Sequence, residues 1–330
     1  MLLRKLFVAP TCCLVLAAAA CGGPTSEPAQ PQENVATPSS SGAGGTSTPG
    51  ASPSTAEASP KSTPARPRSG AVVAARDFTP ARFTDPTRVT NPYYPLEPGL
   101  QWVWKGHAYD DDDEKVSRQI TMTITDLTKE VNGVRTIVGW DQDATDGETE
   151  EVELTFHAQD DAGAVWYFGE YSEEYDGKKI VKTPTWLGGI HGARPGVMMQ
   201  PVPRLRTPAY EEGWGGTKVN WTDRGKVDQV GHTDCLTKTR CYRNVVVIDE
   251  FNPDEPGTHQ LKSYAPNVGG IRTGWRGAKE VEKEELELVA HRRLSADELD
   301  GVRRAVLAQE KRAYARSKDV YAKTRPMTKR

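Results

Sequence analysis

Alternating apolar and polar residues fill the middle of the chain. The run 119–127 alternates Ile or Met with Thr, and the run 100–108 places Trp102 and Trp104 on one face. A period of two is typical of strands in an antiparallel sheet that buries one face. Similar runs follow at short intervals, at 134–143, 151–159, 164–175, 218–223, 244–251, 259–265, 269–277 and 283–292.

Short turns separate several of these runs. Asn or Asp stands beside or near Gly at 131–134, 159–163 and 175–178, which is the composition of hairpin turns. No run alternates with a helix of crossover length, which disfavours a parallel doubly wound sheet. Roughly ten strands in about 200 residues must curl or split. The pattern predicts an all-β domain over residues 71–292, built as a strongly curved antiparallel sheet, barrel or half-barrel, with a two-sheet sandwich as the alternative.

A helical pattern occurs only at the end of the chain, in residues 293–330. Ser295 and Glu298 have the spacing of a capping box, and no Pro follows until Pro326. A thin apolar stripe at helical spacing is interrupted by Gln309 and Glu310. The segment therefore predicts a C-terminal amphipathic helix.

Charge is concentrated in this C-terminal segment. From His291 to Arg330 there are 12 Lys and Arg against 5 Asp and Glu, whereas the whole chain has a net charge of −3. One hypothesis is a basic arm that binds an anionic envelope polymer or anionic lipid. The favoured alternative is a helix docked on its own acidic domain, which needs no partner. The overall balance does not favour nucleic-acid binding.

The first twenty residues have the composition of a secretory signal peptide. Arg4 and Lys5 precede an apolar run from Leu6 to Ala20, and about 22 Å of helix is too short to cross about 30 Å of hydrocarbon comfortably. Small residues before Cys21 resemble the lipobox of bacterial lipoproteins. Residues 1–20 are therefore expected to be a lipoprotein signal peptide, and Cys21 to be lipidated and attached to the outer face of the cell membrane.

Residues 21–70 are rich in Pro, Ser and Gly and contain no aromatic residue. Such a composition cannot bury enough apolar surface to offset the entropy of ordering. We expect a disordered linker between the lipid anchor and the β domain.

Two cysteines remain after the signal peptide and Cys21. Cys235 and Cys241 are separated by five residues in a polar loop before a strand. Outside the cytoplasm, this arrangement predicts a disulfide that closes a hairpin. A redox or metal role is disfavoured, because the spacing is not CxxC and no second pair follows.

Motifs of catalytic or cofactor chemistry are weak or missing from the sequence. The six His show no zinc spacing, and nucleotide and nucleophile-elbow motifs are not found. The Asp110–Glu114 run is expected at a solvated hairpin tip, and the Asp141–Gly147 stretch fails the calcium-loop spacing. Glu170 with Glu173 or Glu174 could form a glycosidase pair, but the alternation favours solvent-facing side chains. We expect no catalytic residue, no metal and no cofactor.

The stretch 156–199 is the most distinctive part of the chain. Its QDD-x-G-x-VWYFGE, Y-x-x-DGK, TW-x-GG and GA-x-PG patterns, together with NPYYPLEPG at 91–99, resemble a family of uncharacterised bacterial secreted proteins and lipoproteins. That family implies no activity, cofactor or catalytic residue. The glycines at 188, 189, 192 and 196 predict a loop with unusual backbone angles, interpreted either as the lip of a ligand site or as a structural cover.

The leading hypothesis is a non-enzymatic protein that binds an apolar or amphipathic ligand, such as a lipid, on the curved sheet. The alternatives are an interaction or scaffold module of the cell envelope, and a wall-glycan hydrolase. The candidate ligand-binding residues are Trp102, Trp104, Trp140, Trp166, Tyr167, Trp186, Met198 and Met199.

Overall fold

The computed structural model describes residues 72–110, 112–219, 221–281 and 283–330. The predicted signal peptide (1–20), Cys21 and the predicted linker (21–70) lie outside the described residues. In the described part, strands account for most of the regular structure.

Sixteen strands and two helices are found in these ranges. The strands are β1 (Leu100–Tyr109), β2 (Lys115–Val131), β3 (Val134–Thr145), β4 (Glu148–Gln159), β5 (Val165–Asp176), β6 (Lys179–Lys182), β7 (Thr185–Leu187), β8 (Arg194–Met199), β9 (Tyr210–Glu211), β10 (Gly213–Trp214), β11 (Arg224–Cys235), β12 (Cys241–Phe251), β13 (His259–Ala265), β14 (Gly269–Arg276), β15 (Glu285–Arg293) and β16 (Thr328–Lys329). The helices are α1 (Gly216–Val219) and α2 (Ala296–Arg316), and 3₁₀ turns cover Ala75–Asp77, Pro80–Arg82 and Tyr321–Lys323.

The strands form two antiparallel meanders, β1 to β5 and β11 to β15, which are joined where β1 pairs with β15. The order β10-β8-β5-β4-β3-β2-β1-β15-β14-β13-β12-β11-β9 makes one sheet path of thirteen strands. The prediction of an all-β, strongly curved antiparallel sheet is confirmed, and its form is a nearly closed barrel. The predicted turn at 131–134 is present, with Asn132 and Gly133 both at positive φ, as a type I′ hairpin requires.

The two ends of the sheet path are the short strands β9 and β10, and one residue, Glu212, separates them along the chain. On one side Tyr210 of β9 pairs with Gly225 of β11, and on the other Gly213 of β10 pairs with Pro195 of β8. The backbone amide of Glu212 donates to the Asp223 carbonyl at 3.0 Å. The segment 210–214 therefore bridges both edges, and neither is left as a long open edge.

This bridge requires glycine on both neighbouring strands. A Cβ on Gly196 of β8 would lie 2.3 Å from the carbonyl carbon of Glu212, and one on Gly225 of β11 would lie 2.6 Å from Glu212 Oε1. Real Cβ atoms do not approach other heavy atoms so closely. The absence of side chains at these two positions lets the three chain segments meet.

The outer face of β2 to β5 is covered by α2 and by the segment 72–83. Phe83 packs edge-on against Trp166 and Phe168, with ring centroids 5.8 and 5.6 Å apart. Val306 and Ala313 of α2 are fully buried in the same apolar cluster. A second apolar cluster, which includes Trp102, lies on the opposite, inner face.

Helix α2 begins with the predicted capping box. The amide of Glu298 donates to Ser295 Oγ at 3.3 Å, and the amide of Ser295 donates to Glu298 Oε2 at 2.8 Å. Gln309, which interrupts the apolar stripe in the sequence, accepts from Trp140 Nε1 and donates to the Val152 carbonyl. The helix therefore docks through polar as well as apolar contacts.

A buried ion pair joins α2 to β2. Lys129 Nζ lies 3.0 Å from Glu310 Oε1 and donates to the Arg325 carbonyl at 2.7 Å, and the Lys129 side chain is fully buried. The ammonium also lies 4.2 Å from the centre of the Tyr321 ring, a cation–π arrangement. Glu310 in addition accepts from the Met327 amide, so the pair holds both the helix and the tail after it.

The predicted helix over residues 293–330 is too long, because α2 ends at Arg316. The tail continues through the 3₁₀ turn Tyr321–Lys323 to β16, which pairs with β2. Arg303 and Arg312 form ion pairs with Asp126 and Glu173 of the sheet, each at 2.7 Å. These contacts confirm the interpretation that the basic segment docks on its own domain. In the ranges that the structure describes, no helix has the length and apolar content needed to span a bilayer.

Cys235 and Cys241 form a disulfide, as predicted. They oppose each other at the ends of β11 and β12, so the bond closes the tip of this hairpin. Closing so short a loop contributes about 2 kcal/mol by the loop-entropy model.

Lys129→Met is expected to lower the free energy of unfolding by about 3–5 kcal/mol, because it leaves the Glu310 carboxylate buried without its cation. Lys129→Met combined with Glu310→Gln should recover much of this loss. Urea denaturation measures both effects. Arg304→Met, at the exposed pair with Asp300, is the control and should cost less than about 1 kcal/mol. A loss from Lys129→Met no larger than that of the control would contradict the assignment.

Candidate functional site

The inner face of the barrel joins an apolar part to an acidic part. Directly opposed residues of antiparallel strands lie on the same face. Trp102 opposes Met122, Met122 opposes Asp141, and Asp141 opposes Glu153, so one row crosses β1 to β4. The neighbouring row consists of Trp104, Ile120, Asp143 and Glu151. Indole rings and carboxyl groups therefore share one face, within four strands.

A cavity of about 160 Å³ lies at the apolar end of these rows. An engineered cavity of about 150 Å³ in another protein accepts benzene, so this space suits a compact ligand. Its lining comprises Tyr94, Pro95, Leu96, Trp102, Trp104, Ile120, Met122, Lys262, Tyr264, Gly269, Gly270, Arg272, Thr273 and Leu286.

Trp102 and Trp104 are held in place by hydrogen bonds to backbone carbonyl groups of the second meander, β11 to β15. Trp102 Nε1 donates to the Val268 carbonyl at 2.6 Å, and Trp104 Nε1 donates to the Gly270 carbonyl at 3.0 Å. The two rings are nearly parallel, with an interplanar angle of 6°. Since both indole N–H groups are satisfied by backbone, the rings present apolar surface to the cavity.

Lys262 of β13 supplies a cation to the cavity wall. Its ammonium pairs with the Glu250 carboxylate on the neighbouring strand. Burial alone would lower the pKa of Lys262, but the carboxylates of Glu250 and Glu212 outweigh this effect and raise it. Lys262 is therefore charged in the folded protein.

Glu212, the residue that bridges the sheet edges, lies beside Lys262. Its side chain is buried, and Oε1 has no hydrogen-bond partner among the described residues. Burial, followed by repulsion from Glu250, raises its pKa well above the usual value. Burial also raises the pKa of Tyr94, with further contributions from Asp141, Glu250 and Glu212. We call these interacting residues the Lys262 group: Tyr94, Asp141, Glu212, Glu250 and Lys262.

Asp141 links the Lys262 group to the acidic part of the inner face. Burial, followed by repulsion from Asp143 and Glu170, raises its pKa to about 8. Its Oδ1 atom has no hydrogen-bond partner in the described ranges. A buried carboxyl group of this kind is neutral unless a cation approaches it.

Asp143, Glu151 and Glu153 continue the acidic part across β3 and β4. Burial raises the pKa of Asp143 to about 6, although Arg118 Nη2 lies 3.0 Å away and opposes the shift. Burial and the neighbouring carboxyl groups raise the pKa of Glu151 and Glu153 well above the usual value. Arg118 also pairs with Glu150 and Glu284, so its single charge is already shared by three carboxyl groups.

The eight predicted ligand-binding residues are not brought together. Trp102 and Trp104 line the cavity, and Met199 is buried in the same inner cluster. Trp140 and Trp166 belong to the outer cluster beneath α2 and the segment 72–83. Tyr167, Trp186 and Met198 form a third cluster with Trp221. A single wall built from five tryptophans is therefore not present.

The expectation that the acid pairs face solvent was wrong for Glu170 and Glu173, whereas Glu174 is half-buried and pairs with Lys182 at the surface. Glu173 is fully buried and pairs with Arg312 of α2, whereas Glu170 is buried beside the Tyr167 hydroxyl. The Gly-rich loop 188–193 contacts the C-terminal tail, where His191 Nε2 lies 2.9 Å from the Asp319 carbonyl oxygen. This contact favours a structural cover over a ligand lip.

Sequence reasoning missed Tyr94, Lys262 and Glu212. Lys262 and Glu212 stand at polar positions that read as solvent-facing, and Tyr94 lies in a Pro-rich lead-in. The one sequence signal that could have indicated Lys262 is a lysine within an alternating run of a domain rich in acidic residues. Among the described residues, no group of three His, Cys, Asp or Glu has the geometry to hold a metal ion.

No family model and no curated protein matches the chain. Two solved structures resemble it in part. One is a protein from Bacteroides fragilis NCTC 9343, predicted to be exported and with a YmcC-like fold, at 12% identity and a TM-score of 0.32, covering 61% of this chain and 99% of that one. The other, predicted to be a lipoprotein, is from Parabacteroides distasonis ATCC 8503, at 10% identity and a TM-score of 0.33, covering 62% and 100%. Likeness of this degree carries no argument about the function of this chain.

The free energy of unfolding is expected to fall as the pH rises from 5 to 7. Asp141 keeps its proton up to about pH 8 when folded but releases it near pH 4 when unfolded, so the folded state binds more protons between these values. Asp141→Asn cannot titrate and should reduce this slope by about 1 kcal/mol per pH unit. Urea denaturation at pH 5, 6 and 7 measures it, with Glu148→Gln as an exposed control on β4. An unchanged slope in Asp141→Asn would contradict the raised pKa.

Proposed function

We propose that the chain is a lipoprotein of the cell envelope whose barrel binds a small apolar or amphipathic ligand. The cavity beside Trp102 and Trp104 is the observation that carries this proposal. It combines rigid aromatic rings with two paired cations, Lys262 and Arg272, and a few polar groups among apolar walls are a common composition of small-molecule sites.

The size of the cavity narrows the class of ligand. About 160 Å³ accommodates a molecule of roughly benzene size with a short substituent. A two-chain lipid is far larger than this space. We therefore propose a compact ligand with one ring or a short branched chain for this cavity, while the expectation of a lipid stays an untested prediction.

Two features support a location outside the cytoplasm. The lipobox-like sequence ends at Cys21, and the Cys235–Cys241 disulfide is of the kind that persists in oxidising compartments. The basic residues Arg303 and Arg312 pair with the sheet, so these two contribute to stability rather than to binding an envelope polymer. Attachment is proposed to occur through the lipid on Cys21.

Gly270→Val is expected to abolish ligand binding while the barrel stays folded. A Cβ at Gly270 would lie 3.4 Å from the Trp104 ring, so the added methyl groups occupy the cavity. Gly274→Val, four residues further along β14, is the matched control, because a Cβ there meets nothing within 4 Å. Calorimetry with ethylbenzene, benzylammonium and benzoate should find at least one binder. Its affinity should fall by about tenfold or more in Gly270→Val only, which is about 1.4 kcal/mol or more.

The proposal is wrong if none of the three compounds binds the unmodified protein, or if Gly270→Val binds as tightly as Gly274→Val. Thermal unfolding of both variants shows whether each is folded at the temperature of the assay. Native mass spectrometry of protein purified from the envelope should in addition detect a compact co-purifying molecule.

Cys21→Ala is expected to move the protein from the membrane fraction to the soluble extracytoplasmic fraction. Two or three acyl chains, at about 0.8 kcal/mol for each buried methylene, hold a protein on a bilayer, and the variant has no site for them. Fractionation of cells that express each form measures this change. Cys13→Ala, within the predicted signal peptide, is the control and should stay with the membrane. Retention in the membrane fraction of a Cys21→Ala form that has lost residues 1–20, as intact mass shows, would refute the lipid anchor.

A further inference from the structure

We infer that the ligand of the barrel carries a cationic ammonium group, bound between the aromatic lining of the cavity and the carboxyl groups of Asp141 and Glu212. This inference rests on the proposed function and specifies the chemical class of its ligand. It is carried by the balance of charges around the cavity.

The two cations that line the cavity are already paired. Lys262 forms an ion pair with Glu250, and Arg272 pairs with Asp234 and Glu287. Neither offers an unmatched positive charge to an anionic ligand. An anion in the cavity would also face the further carboxyl groups behind Lys262, at a like-charge cost.

Two carboxyl groups behind the residues that line the cavity form no direct ion pair among the described residues, although each interacts with the Lys262 ammonium at longer range. Asp141 directly opposes Met122, which lines the cavity. Glu212 lies close enough to Lys262 and Tyr94, two other lining residues, to shift the pKa of each. Asp141 Oδ1 and Glu212 Oε1 also lack hydrogen-bond partners in the part of the chain that the structure describes. An ammonium group has three N–H donors and one positive charge, so it can donate to the unpartnered oxygens and balance one ionised carboxylate.

The aromatic lining favours the same class of ligand. The faces of Trp and Tyr attract cations within about 6 Å of the ring centre, and more strongly where water is excluded. Trp102, Trp104, Tyr94 and Tyr264 line the cavity, and both indole N–H groups are engaged by carbonyl groups. Trp102 is buried and stacks on His291, so the ring surface offered to an ammonium group and its apolar substituent comes mainly from the half-buried Trp104 and Tyr94.

Protonation and metal binding are the two other ways to neutralise the charge of these carboxyl groups. Burial keeps Asp141 largely protonated at neutral pH, since its pKa is about 8, and an arriving ammonium group supplies the countercharge that lets the proton leave. A metal ion finds no set of three suitable ligands in the described ranges. An organic cation requires only the aromatic lining of the cavity and one of the carboxyl groups behind it.

Three probes of equal ring size and different charge test the inference. Benzylammonium is cationic at neutral pH, ethylbenzene replaces the ammonium group by methyl, and benzoate is anionic. Calorimetry with the full chain at pH 7 should give benzylammonium an affinity about tenfold or more above the other two, equivalent to about 1.4 kcal/mol. This comparison uses the unmodified protein and does not depend on the folding of any variant.

Asp141→Asn and Glu212→Gln remove one carboxylate each with little change of shape. Each should weaken benzylammonium by about fivefold or more, roughly 1 kcal/mol, and leave the affinity for ethylbenzene within about twofold. Glu148→Gln, an exposed residue of β4, is the matched control and should change neither affinity.

The outcomes separate this inference from the proposed function. If ethylbenzene or benzoate binds as tightly as benzylammonium, and Gly270→Val still blocks binding, the cavity is a ligand site but its ligand is not cationic. If benzylammonium binds best but is unaffected by Asp141→Asn and Glu212→Gln, its assigned carboxyl partners are wrong and the inference fails. If no probe binds, both proposals fail.

Discussion

The bridge at Glu212 is the constraint on which the rest of the structure depends. Because the segment 210–214 pairs with β8 on one side and with β11 on the other, every strand of the path has one side turned toward the interior. The outer side of β2 to β5 then needs a cover, which α2 and the segment 72–83 supply. The inner side must be filled by the strands' own side chains, and these are aromatic at one end of the rows and acidic at the other.

The acidic inner face also explains where sequence reasoning succeeded and where it failed. Period-two alternation correctly gave most of the strands, the hairpin turns and the curved antiparallel class. The run 218–223 was wrongly predicted as a strand, because its described residues form the end of α1 and an irregular segment before β11, which the pattern did not indicate. Alternation reports only that two faces differ, however, and not which of them meets solvent. In an open sheet the polar side would be outside, and Glu170 was placed there on that basis. Closure turns the side chains of Asp141 and Glu153 inward, and closure depends on Gly196 and Gly225, whose role shows only in three dimensions.

The C-terminal segment shows that local contacts can be predicted from the sequence and distant contacts cannot. Its capping box was readable because the two partners are three residues apart. The contact of Glu310 with Lys129 joins residues far apart in the chain, so in the sequence Glu310 appears only as a break in an apolar stripe. The buried charges of Lys129 on β2 and Glu310 on α2 fix how the helix docks on the sheet. A shifted position of the helix would leave both charges unpaired. The sequence also did not indicate which apolar cluster each tryptophan joins, because a large ring packs equally well on either side of a sheet.

The pairing of β1 with β15 has a consequence for how the protein acquires its structure. Leu100 pairs with Arg293, so the first strand of the barrel is completed only by β15, the last strand of the second meander. Chains dominated by such distant pairings fold slowly, because a long loop must close before the contacts are gained. Until β15 is available, one edge of β1 stays open. An incompletely made chain would thus expose an unpaired strand edge, which is a template for aggregation.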